Sequence, residues 1–272
     1  MSNETLRVDV DAIIKSRTSK RVPKFLVNFV KRLIHQDEIN AFMEKNLQGV
    51  EFFQGVIDRM QCRDRVYGIE NLDLIPEGQQ VIFACNHPLG AMEAMVMGKH
   101  FGNRYGEKVN FVVTDFLMHV TPIANYFTPV NVASTSVLKN KDAKERLNRL
   151  FESDKHVVMF PAGACSRKID GVIQDKPWKK TFVSMAKAHH RCIVPIKVDG
   201  RNSRHFYLLA KLREKLGIKF AFEMILLPDE MFRQHGKTIG ITIGKPISWE
   251  ELQQEKNDWT LVKQIRETVY SM

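Results

Sequence analysis

The chain has 272 residues, 44% of them hydrophobic, and a formal charge of +10 from 41 lysines and arginines against 31 acidic residues. That length and apolar content support a single large domain, or a domain with a small appendage, and exclude a globally disordered chain. The positive excess fits an anionic membrane, nucleic acid or an acidic substrate as partner. Met1 to Asp11 carry no apolar signal core, and no window reaches the ~18 uninterrupted apolar residues of a spanning helix. A chain of this kind that meets a bilayer lies on it. Cys62, Cys85, Cys165 and Cys192 are widely spaced with no C-x-x-C pair, which predicts a reducing cytoplasm, no disulfides and no zinc.

Residues 1–60 read as a basic, amphipathic helical segment, ahead of an α/β domain over 61–272. Lys15, Arg17, Lys20 and Arg21 precede Pro23, which suits the first turn of a helix. Phe25, Leu26, Phe29, Val30, Leu33 and Ile34 follow at helical spacing, with Lys24, Lys31 and Arg32 between them. Ile39, Phe42, Met43 and Leu47 continue this helix or form a second. Such a stripe either packs on the domain or lies in a membrane interface.

From Arg65 onward strands and helices alternate. Strands are predicted at 66–69, 81–86, 109–113, 157–160, 192–198, 219–227 and 238–243. Helices are predicted over 89–101, 142–153, 178–189, 204–216 and 259–269. The alternation predicts an α/β fold, a mostly parallel mixed sheet flanked by helices with the N-terminal helices appended.

Asn86-His87-Pro88-Leu89-Gly90-Ala91-Met92-Glu93 joins the buried-strand run Val81–Cys85 to the next helix. A histidine at a strand end stands where open α/β sheets place ligands, and beside a carboxylate it can serve as a general base. Glu93 would hold the second ring nitrogen of His87 and stabilise its protonated form. Six residues of plain helix turn roughly 600°, so Pro88-Leu89-Gly90 must bend the chain for the two to meet. Later, Phe160-Pro161-Ala162-Gly163-Ala164-Cys165-Ser166-Arg167 follows a strand, and Gly163 permits a close backbone approach and an anion nest. Arg167 and Lys168 add cations, and Lys179 and Lys180 stand at the start of the next helix, where anions bind readily. Arg201, in the turn Asp199–Ser203, is a further candidate for a substrate anion, and Asn202 or Ser203 can cap the helix after it.

These blocks resemble, in order, those of the glycerolipid acyltransferases, the family of the lysophosphatidic acid acyltransferases. Asn86, His87 and Glu93 match N-H-x-x-x-x-D, with the acid one position later and one methylene longer. That spacing resembles a hemolysin-like bacterial branch tied to amino-acid-containing lipids. Phe160–Arg167 resembles F-P-E-G-T-R-S, Ile193-Val194-Pro195-Ile196 the V-P block, and Tyr126–Asn131 an apolar segment that usually ends in a base. The resemblance implies direct acyl transfer, with His87 and Glu93 catalytic and Asn86, Gly163, Ser166, Arg167, Lys168, Lys179, Lys180, Pro195 and Arg201 on the substrate side. It implies no metal and no cofactor beyond the co-substrate, acyl-ACP or acyl-CoA. In that family an acid and an arginine of the glycine block handle glycerol phosphate, and here Ala162 and Cys165 stand there. The expected acceptor is therefore a mono-acylated glycine- or ornithine-type lipid, with 1-acylglycerol-3-phosphate as the alternative. The expected place is the inner face of the cell membrane, reached from the cytoplasm. A basic non-catalytic lipid- or nucleic-acid-binding protein is the rival class; it explains the charge, but no nucleic-acid-binding signature accompanies it, and no nucleic-acid partner is expected.

Overall fold

In a computed structural model, the structure describes residues 8–17, 22–130, 141–218 and 221–272. Among these, a seven-stranded sheet is built from β1 (Arg63–Tyr67), β2 (Val81–Cys85), β3 (Val109–Thr114), β4 (Phe127–Val130), β5 (His156–Met159), β8 (Cys192–Val198) and β9 (Thr238–Ile243). A separate hairpin pairs β6 (Arg167–Ile169) with β7 (Val172–Gln174). The strand order is β1-β9-β8-β2-β5-β3-β4. β8, β2, β5, β3 and β4 run parallel, and β9 with β1 runs the other way. The sheet is thus mixed and mostly parallel, as the alternation of elements predicts.

β2 lies at the centre and every one of its residues is buried, because helices cover both faces. Its side chains alternate between two cores. Val81, Phe83 and Cys85 join Phe53, Ile57, Val96 and Phe101 from α4 (Gly49–Arg59) and α5 (Met92–Tyr105). Ile82 and Ala84 join Leu147 of α6 (Lys141–Glu152), Phe182 of α7 (Thr181–Ala188), Leu252 of α10 (Trp249–Gln254) and Ile265 of α11 (Asp258–Ser271).

The N-terminal region forms α1 (Val10–Arg17), α2 (Lys24–Leu33) and α3 (Gln36–Met43), so the apolar periodicity after Pro23 is two helices split at Ile34-His35. His35 has φ 54°, a left-handed conformation that ends one helix and starts the next. Its ring stacks on Phe232 at 4.0 Å and bonds Asp229 at 3.0 Å, both in α9 (Leu227–Phe232). The strand expected over 219–227 is not formed. Residues 219–220 lie outside the described residues, Phe222–Leu226 is a 3-10 helix, and Pro228 opens α9. Glu223 there is fully buried between two arginines, a tertiary demand that outweighs the apolar run. α8 (Arg204–Lys215) is capped by Ser203, whose Oγ accepts from the Phe206 N–H at 3.2 Å. Asn131, at the end of the second apolar block, also lies outside the described residues.

Candidate active site

The site is built where β2 and β5 end side by side. After Cys85 the Asn86 amide extends the β2–β8 ladder: Nδ2 donates to the Val198 carbonyl at 2.9 Å, and Oδ1 accepts the Val198 N–H at 2.6 Å. The chain then turns through Gly90, at φ +89°. A Cβ there would come within 2.7 Å of Leu227 Cδ2 and 3.0 Å of Cys165 Sγ, so both conformation and space require glycine. This bend carries Glu93, in the first turn of α5, back onto His87.

Glu93 Oε1 lies 2.9 Å from His87 Nδ1 and accepts the N–H groups of Leu89 at 3.0 Å and Gly90 at 2.9 Å. The carboxylate is fully buried, and its second oxygen has no protein partner. Burial pushes Glu93 upward, but the His87 contact and the Gly90 N–H outweigh it and hold the carboxyl below its ordinary range. An ionised Glu93 places the imidazole proton on Nδ1 and leaves a lone pair on Nε2. Burial pulls His87 down, whereas the Cys165 sulfur and Glu93 raise it, and the net effect holds the imidazole well above its ordinary value of 6.5. The ring stacks on Phe160, which follows β5, with centroids 4.0 Å apart, and the side chain remains 16% exposed. An oriented, partly exposed imidazole with a buried anion behind it can take a proton from a hydroxyl.

The glycine block is drawn against this pair. The Ser166 N–H donates to the His87 carbonyl at 2.7 Å, and the Gly163 N–H, in a residue at φ +67°, donates to the Phe160 carbonyl at 2.9 Å. Ala162 and Cys165 are buried. Arg167 is buried too: its guanidinium meets Glu223 at 2.8 Å and the Cys165 carbonyl at 2.7 Å. That ion pair commits it to the scaffold, as the Val198 bonds commit Asn86. Pro195 sits opposite Ala84 inside the sheet, about 10 Å along the strand from His87 at 3.3 Å per residue. Lys168, Lys179, Lys180 and Arg201 are exposed, and the Lys179 N–H is tied to the Pro161 carbonyl at 3.0 Å, beside the glycine block.

One residue of the site carried no signal in the sequence. Asp175 is buried at 1% exposure. Its Oδ1 accepts the His87 N–H at 3.2 Å and the Ser166 hydroxyl at 2.6 Å, and its Oδ2 accepts Trp178 Nε1–H at 2.9 Å. It lies in the polar run Gln174-Asp175-Lys176-Pro177, and only the β6–β7 hairpin brings that run back to the glycine block.

The chain is similar to known proteins over nearly its whole length. A family model described as acyltransferase matches residues 10–272. A lyso-glycine lipid O-acyltransferase of Phocaeicola vulgatus is 36% identical over 270 residues, 97% of this chain and 95% of its own. The protein of the same name from Bacteroides thetaiotaomicron is 37% identical over 97% of each chain. Among solved structures, the 1-acyl-sn-glycerophosphate (LPA) acyltransferase PlsC of Thermotoga maritima shares the fold. Its TM-score is 0.50 at 16% identity, covering 95% of this chain and 85% of that one. With a family match that runs from the first described helix to the last residue, the chain belongs to the acyltransferase family.

Proposed function

We propose that this acyltransferase moves a fatty acyl group from acyl-ACP or acyl-CoA to the free hydroxyl of a mono-acylated glycine lipid, with His87 as general base. The observation that carries the reaction is the 2.9 Å contact between His87 Nδ1 and the buried Glu93 at the end of the central strand. Nε2 takes the acceptor's hydroxyl proton as the oxygen attacks the thioester carbon. The carbon–sulfur bond then breaks, and the carrier thiolate takes the proton back from the imidazolium held by Glu93.

The acceptor follows from two supports. The relatives are named for lyso-glycine lipid, and buried Ala162 and Cys165 stand where the resemblance expects an acid and an arginine for a glycerol phosphate. A single carboxylate needs fewer cations, and Lys168, Lys179, Lys180 and Arg201 are exposed to meet it or the phosphate of a carrier. Gly163 keeps the substrate-side place that the resemblance implies, whereas Ser166 is buried and spends its hydroxyl on Asp175. The protein works from the cytoplasm as a peripheral protein of the inner membrane face. On α2, Phe25 is 71% and Phe29 60% exposed beside Lys24 and Arg32. On α8 and at its C-cap, Leu208 and Leu216 are each 62% exposed beside Arg204, Lys211 and Lys215. Apolar side chains rimmed by cations suit an anionic lipid surface. No helix among the described residues is long and apolar enough to cross a membrane.

The test is a competition between lyso-glycine lipid and lysophosphatidic acid for one labelled thioester, run with the CoA and the ACP donor in turn. Diacylated glycine lipid should dominate. Predominant phosphatidic acid would overturn the acceptor and install the alternative, and no turnover with either lysolipid would overturn the catalytic reading.

A further inference from the structure

We propose that Asp175 is a positioning residue for the acyl transfer, and that it sets His87 in place with the last helix of the chain as its anchor. The two backbone polar groups of His87 are held by one serine–aspartate unit. The His87 N–H donates to Asp175 Oδ1, the His87 carbonyl accepts from the Ser166 N–H, and the Ser166 hydroxyl donates to the same Asp175 oxygen. Glu93 fixes the ring, and Asp175 with Ser166 fixes the backbone that carries the ring. Asp175 is in turn fixed from α11. Its N–H donates to the Tyr270 hydroxyl at 2.7 Å, and its carbonyl accepts from Arg266 at 3.1 Å. Tyr270 and Arg266 are one turn apart, with the guanidinium 4.7 Å from the ring centroid.

A carboxylate buried to this degree stays only when its lone pairs are satisfied, and three donors from three segments satisfy this one. Burial pushes Asp175 upward, with Ser166, Trp178 and the charge of His87 pulling against it. The groups facing His87 are Glu93 from α5, Cys165 and Ser166 from the glycine block, Phe160 after β5, and Asp175 after β7. Asp175 itself also faces Trp178, Tyr270 and Arg266. A small displacement of a reacting group is costly, so loss of this brace should cost rate rather than affinity.

The proposal rests on His87 as the base, and the experiment separates the two. Wild type, His87→Ala, Asp175→Asn, Tyr270→Phe and Ser166→Ala are assayed as purified full chains, with thermal unfolding as a check on the fold. Asp175→Asn should lower kcat by about 10–100-fold, because a brace is lost that positions the base, with KM for both substrates held within about twofold. Its acid limb should move to lower pH, since one negative charge near the imidazolium is gone. Tyr270→Phe keeps that charge, so it should lower kcat with the limb unmoved. Folded Asp175→Asn with wild-type kcat and an unmoved limb would overturn the proposal. Should Asp175→Asn not fold, wild-type kcat in both Tyr270→Phe and Ser166→Ala would overturn it instead. Full activity in His87→Ala would remove the base itself, a different failure.

Discussion

Burial favours a neutral His87, while the Cys165 sulfur and the Glu93 carboxylate favour the protonated ring, and the second influence prevails. The base must be neutral to accept a proton, so kcat/KM should rise with pH through a midpoint above the ordinary 6.5. Glu93→Gln keeps an oxygen for the Leu89 and Gly90 N–H groups but removes the charge. Its midpoint should fall, and kcat should fall further than binding weakens, because the carboxylate acts on the developing imidazolium. A full pH–rate profile of both proteins checks this, and an unmoved midpoint would remove Glu93 as the partner. Glu93→Asp, one methylene short across the Gly90 bend, should also lose rate. His87 and Glu93 were legible in the sequence because an imidazole at a strand–helix junction with an acid nearby has a chemical reading. Asp175 was not: it stands beside a lysine and a proline in a polar run, and its role exists only once the β6–β7 hairpin folds back. Asn86 and Arg167 showed the opposite effect. Their motif positions were legible, but hydrogen bonds to Val198 and Glu223 engage them internally, and such partners are more than a hundred or more than fifty residues away along the chain.

At the scale of elements, α4 and α5 touch through glycine. A Cβ on Gly98 would lie 2.6 Å from the Phe53 ring, and one on Gly102 would lie 2.7 Å from Val50 Cγ2. Phe53 is fully buried and packs edge-on to Tyr126 at 5.3 Å, so it has little room to retreat. Gly98→Ala gains about 0.5–1 kcal/mol of helix propensity but overpacks this contact, which costs about 1–3 kcal/mol. The net expectation is destabilisation, read as a lower denaturant midpoint with an unchanged slope. An equal or higher midpoint would show that α4 moves away freely. Strands at 192–198 and 238–243 were read with their observed limits because each is a β-branched run with turn residues at its ends. The failure at 219–227 has a definite cause. Phe222–Leu226 reads as apolar strand, yet Glu223 must face Arg167 and Arg213, and Pro228 favours a helix start. β6, β7 and α10 are short, at three, three and six residues, too short for a period to declare itself.

For the whole molecule, five parallel strands deliver their C-terminal ends to one edge, and that edge carries His87, Phe160 and the turn containing Arg201. The sheet therefore gathers residues from distant parts of the chain at one edge, which is why blocks far apart in sequence meet at one candidate site. In the proposed membrane role, the exposed aromatics of α2 and leucines at α8 are the apolar contacts with the lipid surface. Burying one Phe contributes about 1.5–3 kcal/mol, and each cation near an anionic surface contributes about 1 kcal/mol. Phe25→Ser with Phe29→Ser should therefore lower the fraction that sediments with anionic vesicles, and high salt should lower it further. Vesicle binding that ignores both changes would place the contact elsewhere. Acyl transfer to the hydroxyl of a lysolipid through His87 is the step on which the proposed function rests. Its most direct measurement is the single-turnover rate of labelled acyl transfer to lyso-glycine lipid by wild type and by folded His87→Ala, at saturating donor. Wild type should form diacyl product, at a rate about 10²–10⁴-fold above that of the variant; equal rates for the two proteins would remove His87 as the base.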